Sequence, residues 1–402
     1  MKTHWLIGAL VVACLMGALA LAAADEAQGP PAVEVHGWSL TRYYVDTTVN
    51  ATQDSLGVIT NEEEDSHVEC ERFSLSGRSR LANGKEVYAE VYIHPWLPNG
   101  HPSFLYLESL YIDIPAAPGA KVRIGKGRSN AFGIVPGYGN RKVTNYSPLA
   151  ETFTMDRALG VQYLQKRGND SFAFGLFNSQ RLGTRPIGMA ADSQIEGGAP
   201  GATMVSHLTD RDSPANRSGE LETSARYGRQ MGDFNIGLSG RLGALDEEDA
   251  ALLAAKFPTY NGTNRTRAKY GLDSTYKQAP FYGTFEWCAG SVGGIDQDGY
   301  AILIGVEPSK KCTGVWRDMA GICKGIFVRY VNLDTDVPAV VNNSLTWDIE
   351  QISVSYVLPL RCSWLPYAKW LQFEYERNKE DVPAGADEIS NDMLFVELFS
   401  AF

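Results

Sequence analysis

The chain ends on Asn391–Phe402, NDMLFVELFSAF. Its alternation reads as a strand, with Leu394, Val396, Leu398 and Phe402 on one face and Ser400 where a further large apolar residue would complete the series. The last residues of a domain ordinarily fray into water. A strand that runs out to a bare aromatic is expected instead to be read or buried by something.

The other end narrows what that something is. Lys2 precedes an apolar stretch from Trp5 to Ala20 and then the small-residue segment LALAAADEA, which offers a cleavage point after Ala22-Ala23-Ala24. This is the pattern of a secretory signal peptide, so residues 1–24 are expected to be removed and 25–402 exported. A lipoprotein reading with the lipid on Cys14 would leave apolar LMGALALAAA at the mature terminus and is set aside. The formal charge of the 402 residues is −11. Loss of Lys2 makes the exported chain one unit more acidic, which argues against a nucleic-acid partner. No later segment reaches the ~18 uninterrupted apolar residues that a membrane helix requires. Five cysteines remain after cleavage, without a CxxC pair. Cys312 and Cys323 are close enough in sequence to close a loop disulfide, with free thiols as the alternative.

Period-two alternation, the mark of half-apolar strands, recurs along the rest. SFAFGLFN sets Phe172, Phe174 and Leu176 against Ser171, Ala173 and Gly175. GELETSARYG opposes Leu221, Thr223, Ala225 and Tyr227 to Glu220, Glu222, Ser224 and Arg226. DFNIGLSGRL opposes Phe234, Ile236 and Leu238 to Asn235, Gly237, Ser239 and Arg241. About sixteen such segments are expected, beginning near Val33, His67, Glu86, Ser103, Lys121, Arg157, Ser171, Gly219, Asp233, Arg267, Phe281, Gly299, Gly325, Leu345, Tyr367 and Asn391.

The connections alternate in length. Short turns fall at Ala82–Lys85, Pro115–Gly119, Arg167–Asp170, Gln230–Asp233 and Lys277–Pro280, with Asn83-Gly84 the clearest hairpin signal. Long polar segments fall near Thr47–Ser66, Ser129–Asp156, Ser179–Ser218 and Gly243–Thr266. Pro308–Ile322 is the exception, long where a short turn is due. Short turns at one end and long loops at the other are the pattern of an antiparallel barrel crossing a bilayer. Hydrocarbon offers no partner to a backbone amide, so only a closed sheet satisfies them all there. The expectation is therefore all-β: a closed antiparallel transmembrane β-barrel of about 16 strands, porin-like. An exported soluble β-sandwich that binds glycans through exposed Trp and Tyr is the rival reading.

ESLYIDIPAAPGAKVRIGKGRSNAFG, followed by DRALGVQYLQKRGNDSFAFGLFN, resembles the phosphate-selective porin O/P family, as do the later FYGTFEW, DGYAILIG, KGIFVRYVNLD and LQFEYERN. The resemblance implies a sixteen-stranded barrel of a Gram-negative-type outer membrane, often trimeric, that passes small anions through a pore narrowed by inward-folded loops. It also implies that Phe402 is the signal read by the barrel-assembly machinery.

For such a pore the basic candidates are Lys121, Arg123, Arg226, Arg241 and Arg329 on inward faces, with Lys126, Arg128, Arg141 and Lys142 in or entering the third long connection. Inward acids are also numerous, at Glu220, Glu222, Asp273, Glu286, Glu374 and Glu376. Each base either meets a solute or pairs with a carboxylate across the lumen wall. A phosphate-selective lumen needs a ladder of Arg and Lys donors, whereas this one is mixed, so a general small-solute diffusion channel is the safer expectation. The third connection, with Gly133, Gly137, Gly139, Arg141 and Lys142, is expected to fold into the lumen as the constriction.

No cofactor, metal site or enzyme chemistry is expected. GxSxG, Walker, HExxH and zinc-type patterns do not occur, and His36, His67, His94, His101 and His207 accompany no plausible nucleophile. Asn61–Ser66 (NEEEDS) reads as a solvated acidic loop, and Asp296–Gly299 (DQDG) only opens like a calcium loop. Asp246–Lys256, with acids first and Lys last, suits a short helix in the fifth long connection.

Overall fold

A computed structural model of the protein describes residues 33–53, 59–81, 84–94, 105–134, 142–154, 157–186, 206–211, 220–256, 260, 262–336, 348–361, 363–381 and 392–402. The expected signal peptide, with Cys14, lies outside these residues, as do Asn83, Gly137, Gly139, Arg141 and Cys362.

The described chain folds into eighteen strands and three short helices. The first seven strands are β1 (Val33–Gln53), β2 (Ile59–Arg80), β3 (Glu86–Ile93), β4 (Leu105–Ala117), β5 (Ala120–Lys126), β6 (Leu159–Arg167) and β7 (Asp170–Asn178). Helix α1 (Pro148–Phe153) lies between β5 and β6, and a separate hairpin of β8 (Arg181–Pro186) and β9 (Ser206–Arg211) follows β7. Next come β10 (Leu221–Met231), β11 (Phe234–Ala244), α2 (Glu247–Lys256), β12 (Thr266–Gln278), β13 (Phe281–Val292) and β14 (Ile295–Val306). The last elements are α3 (Val315–Met319), β15 (Gly325–Asp336), β16 (Asp348–Pro359), β17 (Ala368–Asp381) and β18 (Met393–Ala401).

Apart from the β8–β9 hairpin, every strand pairs antiparallel with its neighbours in sequence, β7 pairs with β10, and β18 returns to β1. The result is a closed barrel of sixteen strands, as the alternation predicts, and the soluble sandwich falls with it. Each expected strand has its counterpart, and Glu247–Lys256 is helical as expected.

The two faces divide as the alternation requires. Leu238, Tyr270, Val354 and Tyr375 are exposed on the outside, while Arg241, Asp273, Ser353, Glu374 and Glu376 on the same strands are buried inside. An outer band of large apolar side chains on strand after strand is the surface that hydrocarbon wets.

Three details differ from expectation. β1 and β2 continue beyond the barrel wall to Gln53 and from Ile59, with register shifts after Asp46, so the acidic run Asn61–Ser66 belongs to a strand rather than a loop. β13 and β14 join through Gly293 and Gly294, both at positive φ, a tight turn at the end that otherwise carries long loops. Asp296–Gly299 lies within β14. Of the expected cysteine alternatives, Cys312 and Cys323 are free thiols.

The barrel closes where β18 meets β1, in register from Trp38↔Ala401 to Asp46↔Met393. The pairing continues to Phe402, whose N–H donates to the Gly37 carbonyl at 2.9 Å while its own carbonyl accepts from the Gly37 N–H at 3.0 Å. A Cβ on Gly37 would stand 2.2 Å from the Phe402 ring, so the ring lies where a side chain would be. It is flanked by Phe73 and Tyr367, with centroids 6.3 and 6.1 Å away. Gly37→Val is therefore expected to push Phe402 off the seam and cost about 1–3 kcal/mol by overpacking. The variant should lose its fast-migrating unheated form on detergent gels at a lower temperature than the parent.

Candidate functional site

The third long connection, between β5 and β6, runs inside the barrel. Asn130 N–H donates to Gln162 Oε1 of β6 at 3.1 Å, and the Ala131 carbonyl accepts from Ser224 Oγ of β10 at 2.7 Å. Gly133 N–H reaches Ser239 Oγ of β11 at 2.9 Å, and Ile134 N–H reaches Glu286 Oε1 of β13 at 2.8 Å. On the way back, Thr144 N–H donates to Glu374 Oε2 of β17 at 2.6 Å. Arg329 Nη1 of β15 donates to the Asn145 carbonyl at 2.7 Å, and Lys269 Nζ of β12 to the Thr152 carbonyl at 2.5 Å. Irregular backbone at membrane depth is tolerated where protein satisfies it, and here wall side chains do so.

Its path follows from its residues. Gly133 is at φ 56°, and a Cβ there would meet Glu286 Oε1 at 2.4 Å and Thr154 Cγ2 at 2.5 Å. Only glycine lets the backbone approach the carboxylate this closely. α1 opens with the Ser147 hydroxyl accepting from Ala150 N–H at 3.0 Å and carries Pro at its start, both favourable at a helix N-terminus.

Phe132, Leu149 and Phe153 of the connection pack on Cys288, Val331, Leu333 and Ile349. Val143 packs on Leu303, Phe327 and Val357, and Tyr146 on Leu40, Tyr92 and Phe399. The connection thus fills the β13–β1 side of the lumen. Beside it, at the short-turn end, a cavity of about 740 Å³ remains. Its walls include Glu86, Asp113, Lys121, Arg226 and Asp273, and the connection supplies Asn130, Gly133 and Ile134.

Most of the expected basic residues meet carboxylates. Arg123 forms a fork with Asp113 (2.8 and 3.0 Å), and Lys121 joins the same carboxylate at 2.5 Å. Arg128 Nε donates to Glu108 Oε1 at 2.9 Å, and Arg157 holds the other oxygen. Arg226 pairs with Asp273 through Nε at 3.0 Å and Arg241 with Glu222 at 2.6 Å. Arg329 lies 3.4 Å from Glu376, and Lys142 pairs with Glu307. Lys126 holds its ammonium 4.4 Å above the Tyr106 ring. Lys121, Arg226 and the loop backbone thus share one cavity, whereas Arg241, Arg329 and Lys142 do not line it.

The pairing is uneven around the lumen. On β4, β5 and the two ends of the connection, Asp113 and Glu108 face Lys121, Arg123, Arg128 and Arg157, two acids against four bases. On β17, Glu374 and Glu376 stand over the single guanidinium of Arg329. Burial alone would lower the pKa of Arg128 and Arg157. Tyr146 and Glu108 for Arg128, and Glu108 for Arg157, outweigh it, so both stand above the ordinary value. At the mouth, Lys324 lies over the Trp370 ring, 3.3 Å from its centroid. Burial first, then repulsion by Lys142, pushes its pKa down to about 8 against the pull of Glu307.

Asp113, Glu108, Arg157 and Lys324 are absent from the sequence-based expectation. Asp113 follows from the alternation of Leu110, Ile112 and Ile114 against Tyr111 and Asp113. Glu108 does not, because a bulge opposite Glu90/Val91 shifts the face just there. Among the described residues no group of His, Cys, Asp and Glu is placed to hold a metal ion.

No protein-family model matches the chain, and no curated protein does. The resemblance to the phosphate-selective porin O/P family thus rests on its short motifs alone. Solved structures match the fold. The anion-selective porin from Comamonas acidovorans aligns with a TM-score of 0.54 at 12% identity, covering 92% of this chain and 100% of its own. OmpF of Salmonella typhi, in complex with daunomycin, gives 0.57 at 9% identity, covering 92% and 97%. The outer membrane channel DcaP of Acinetobacter baumannii gives 0.56 at 9%, with the same coverage. At these identities the likeness shows a common barrel architecture.

Glu286 of β13 and Glu374 of β17, a quarter of the barrel apart, each hold a loop N–H. Replacing both by Ala leaves those donors unpaired, at about 1–3 kcal/mol each. Amide exchange across 130–134 and 142–154, followed by mass spectrometry, is expected to speed up tenfold or more while the wall strands keep their protection. Unchanged exchange in the loop would show that the apolar contacts alone hold it.

Proposed function

We propose that the protein is a channel of a Gram-negative-type outer membrane through which small solutes diffuse passively, and not an enzyme. The observation that carries this reading is the inward connection. It is tied to strands on opposite walls, fills one side of the lumen and leaves a charged cavity on the other. An outward apolar band on a closed sheet, and the likeness in fold to an anion-selective porin and to the DcaP channel, support the same reading. Outer-membrane lipid is the surrounding partner, and a homotrimer is the assembly that the family resemblance implies.

Within that reading we assign a modest preference for small anions, phosphate among them. Asp113 is already engaged bidentately by Arg123, so Lys121 adds a surplus positive charge at the cavity wall. A narrow low-dielectric passage answers to such near charges before remote ones. This is how an acidic chain would favour anions. Planar-bilayer reversal potentials in a salt gradient test it. The parent should favour anions weakly, less so as salt screens the lumen, and Lys121→Glu should shift it toward cations. Arg141→Glu with Lys142→Glu should act in the same direction. Raising the pH from 7 to 9 removes the proton from Lys324 and should lower the anion preference, an effect absent in Lys324→Arg. A parent that inserts but conducts no ions would sink the channel reading. A cation-preferring parent would sink only the selectivity.

Phe402 is assigned a second role as the assembly signal. Its deletion is expected to reduce the level of barrel in the outer membrane of cells, while purified protein still folds into detergent. Normal levels in cells would leave Phe402 only its packing on Gly37.

A further inference from the structure

The connection between β14 and β15, residues 307–324, sits at the end of the barrel that otherwise carries tight turns, and part of it leaves the lumen. The Trp316 ring of α3 packs edge-on against Phe281, centroids 6.2 Å apart, and Phe281 is an exposed residue at the start of β13. Tyr356, which alternates with the inward Ser355 and Val357 of β16, donates its hydroxyl to the Ile322 carbonyl at 2.6 Å. The segment is therefore held on the outer side of the rim, at the level where hydrocarbon gives way to headgroups.

Its exposed side chains are of two kinds. Val315 is 61% exposed and Ile322 63%, and Trp364 of the neighbouring β16–β17 connection is 77% exposed. Interspersed with them are the exposed Lys310, Lys311, Arg317 and Arg361. The acid among them, Asp318, lies 3.9 Å from Arg317, and Glu307 is engaged by Lys142. Four bases to one acid invert the sign of a chain whose formal charge is −11. Apolar and aromatic groups mixed with Lys and Arg at a bilayer edge are the composition of a segment that lies on an anionic membrane surface.

We propose that this rim binds the headgroups of anionic phospholipids in the adjoining leaflet. Lys310, Lys311, Arg317 and Arg361 meet the phosphates, while Val315, Ile322 and Trp364 enter the acyl boundary. A protein partner fits less well, because bases separate the apolar side chains and Trp316 lies against the lipid-facing wall. The proposal rests on the reading of the barrel as membrane-spanning, which insertion into liposomes and heat-modifiable migration check independently.

The test offers the delipidated full-length protein equal amounts of phosphatidylglycerol and phosphatidylcholine and counts the retained lipids by native mass spectrometry. The parent is expected to retain phosphatidylglycerol preferentially. With about fivefold per base near an anionic surface, Lys310→Ser plus Lys311→Ser should lower that preference by about 25-fold, with heat-modifiable migration unchanged. Arg167→Ser plus Lys277→Ser, at other turns of the same rim, should leave it intact. In parallel, brominated phosphatidylglycerol should quench the parent's tryptophan fluorescence more than brominated phosphatidylcholine, and the difference should vanish in Trp316→Phe plus Trp364→Phe. Equal retention of the two lipids by the parent, a preference untouched by the lysine changes, or an equal loss in the Arg167/Lys277 pair would each overturn the assignment.

Discussion

The constraint on which the rest of the structure depends is that no backbone amide can be left unpaired in hydrocarbon, where each orphan costs several kcal/mol. A sheet meets it only by closing, and this sheet closes at β1–β18. Closure turns one face of every strand toward lipid and the other toward the lumen. The charged residues of the alternation then have one place to go. In a soluble protein Glu222, Asp273 and Glu374 would face outward into water. Here the same residues face inward, where Glu222 and Asp273 pair with Arg241 and Arg226 and Glu374 becomes a fitting on which a loop is hung.

The inward connection uses those fittings. Glu286 and Glu374 each accept a backbone N–H of the loop, at two points a quarter of the barrel apart. Ser224 and Ser239 hold the stretch near β10 and β11, where small side chains leave room for the backbone to come close. Glu108, Asp113, Glu222 and Asp273 are matched to arginines, which cancels much of the charge around them. Such pairs are weak evidence of stability, since desolvation offsets most of the attraction. Their effect is on the field: local surpluses of one sign near Asp113, and of the other on β17, outlast the cancellation.

The architecture was legible because period two is a local property. DFNIGLSGRL carries its face assignment within ten residues, and Leu238 and Arg241 fall on the expected sides. The unread parts depend on contacts far apart in sequence or on one-residue irregularities. Nothing near Ile134 announces Glu286, 152 positions away. The bulge that turns Glu108 inward is one residue long and has no signature in LYLESLYID. The hairpin of β8 and β9 falls within a long polar segment, and alternation does not announce it, because its six-residue strands are separated by nineteen residues and meet only across that gap. The pairing of the arginines was foreseeable as one of two alternatives for each base. Deciding between them needs the cross-strand register, which alternation alone does not supply.

That register is itself specified at the seam by opposite chemistries on its two faces. Inside, Arg42 of β1 is buried between Glu397 of β18 at 3.2 Å and Glu71 of β2 at 3.3 Å. Outside, Phe402 covers Gly37. A slip of β18 by one residue would exchange its faces, putting Glu397 toward lipid and Phe395 and Phe399 with it. A slip by two would keep the faces but set Phe395 or Phe399 opposite Arg42, leaving the buried guanidinium with Glu71 alone, and would carry Phe402 away from the glycine that has room for it. Either error leaves a buried group short of one partner, and removing one member of a buried ionic set costs more than the correctly made pair contributes. The ion pair at the seam is therefore best understood as a penalty on wrong closure.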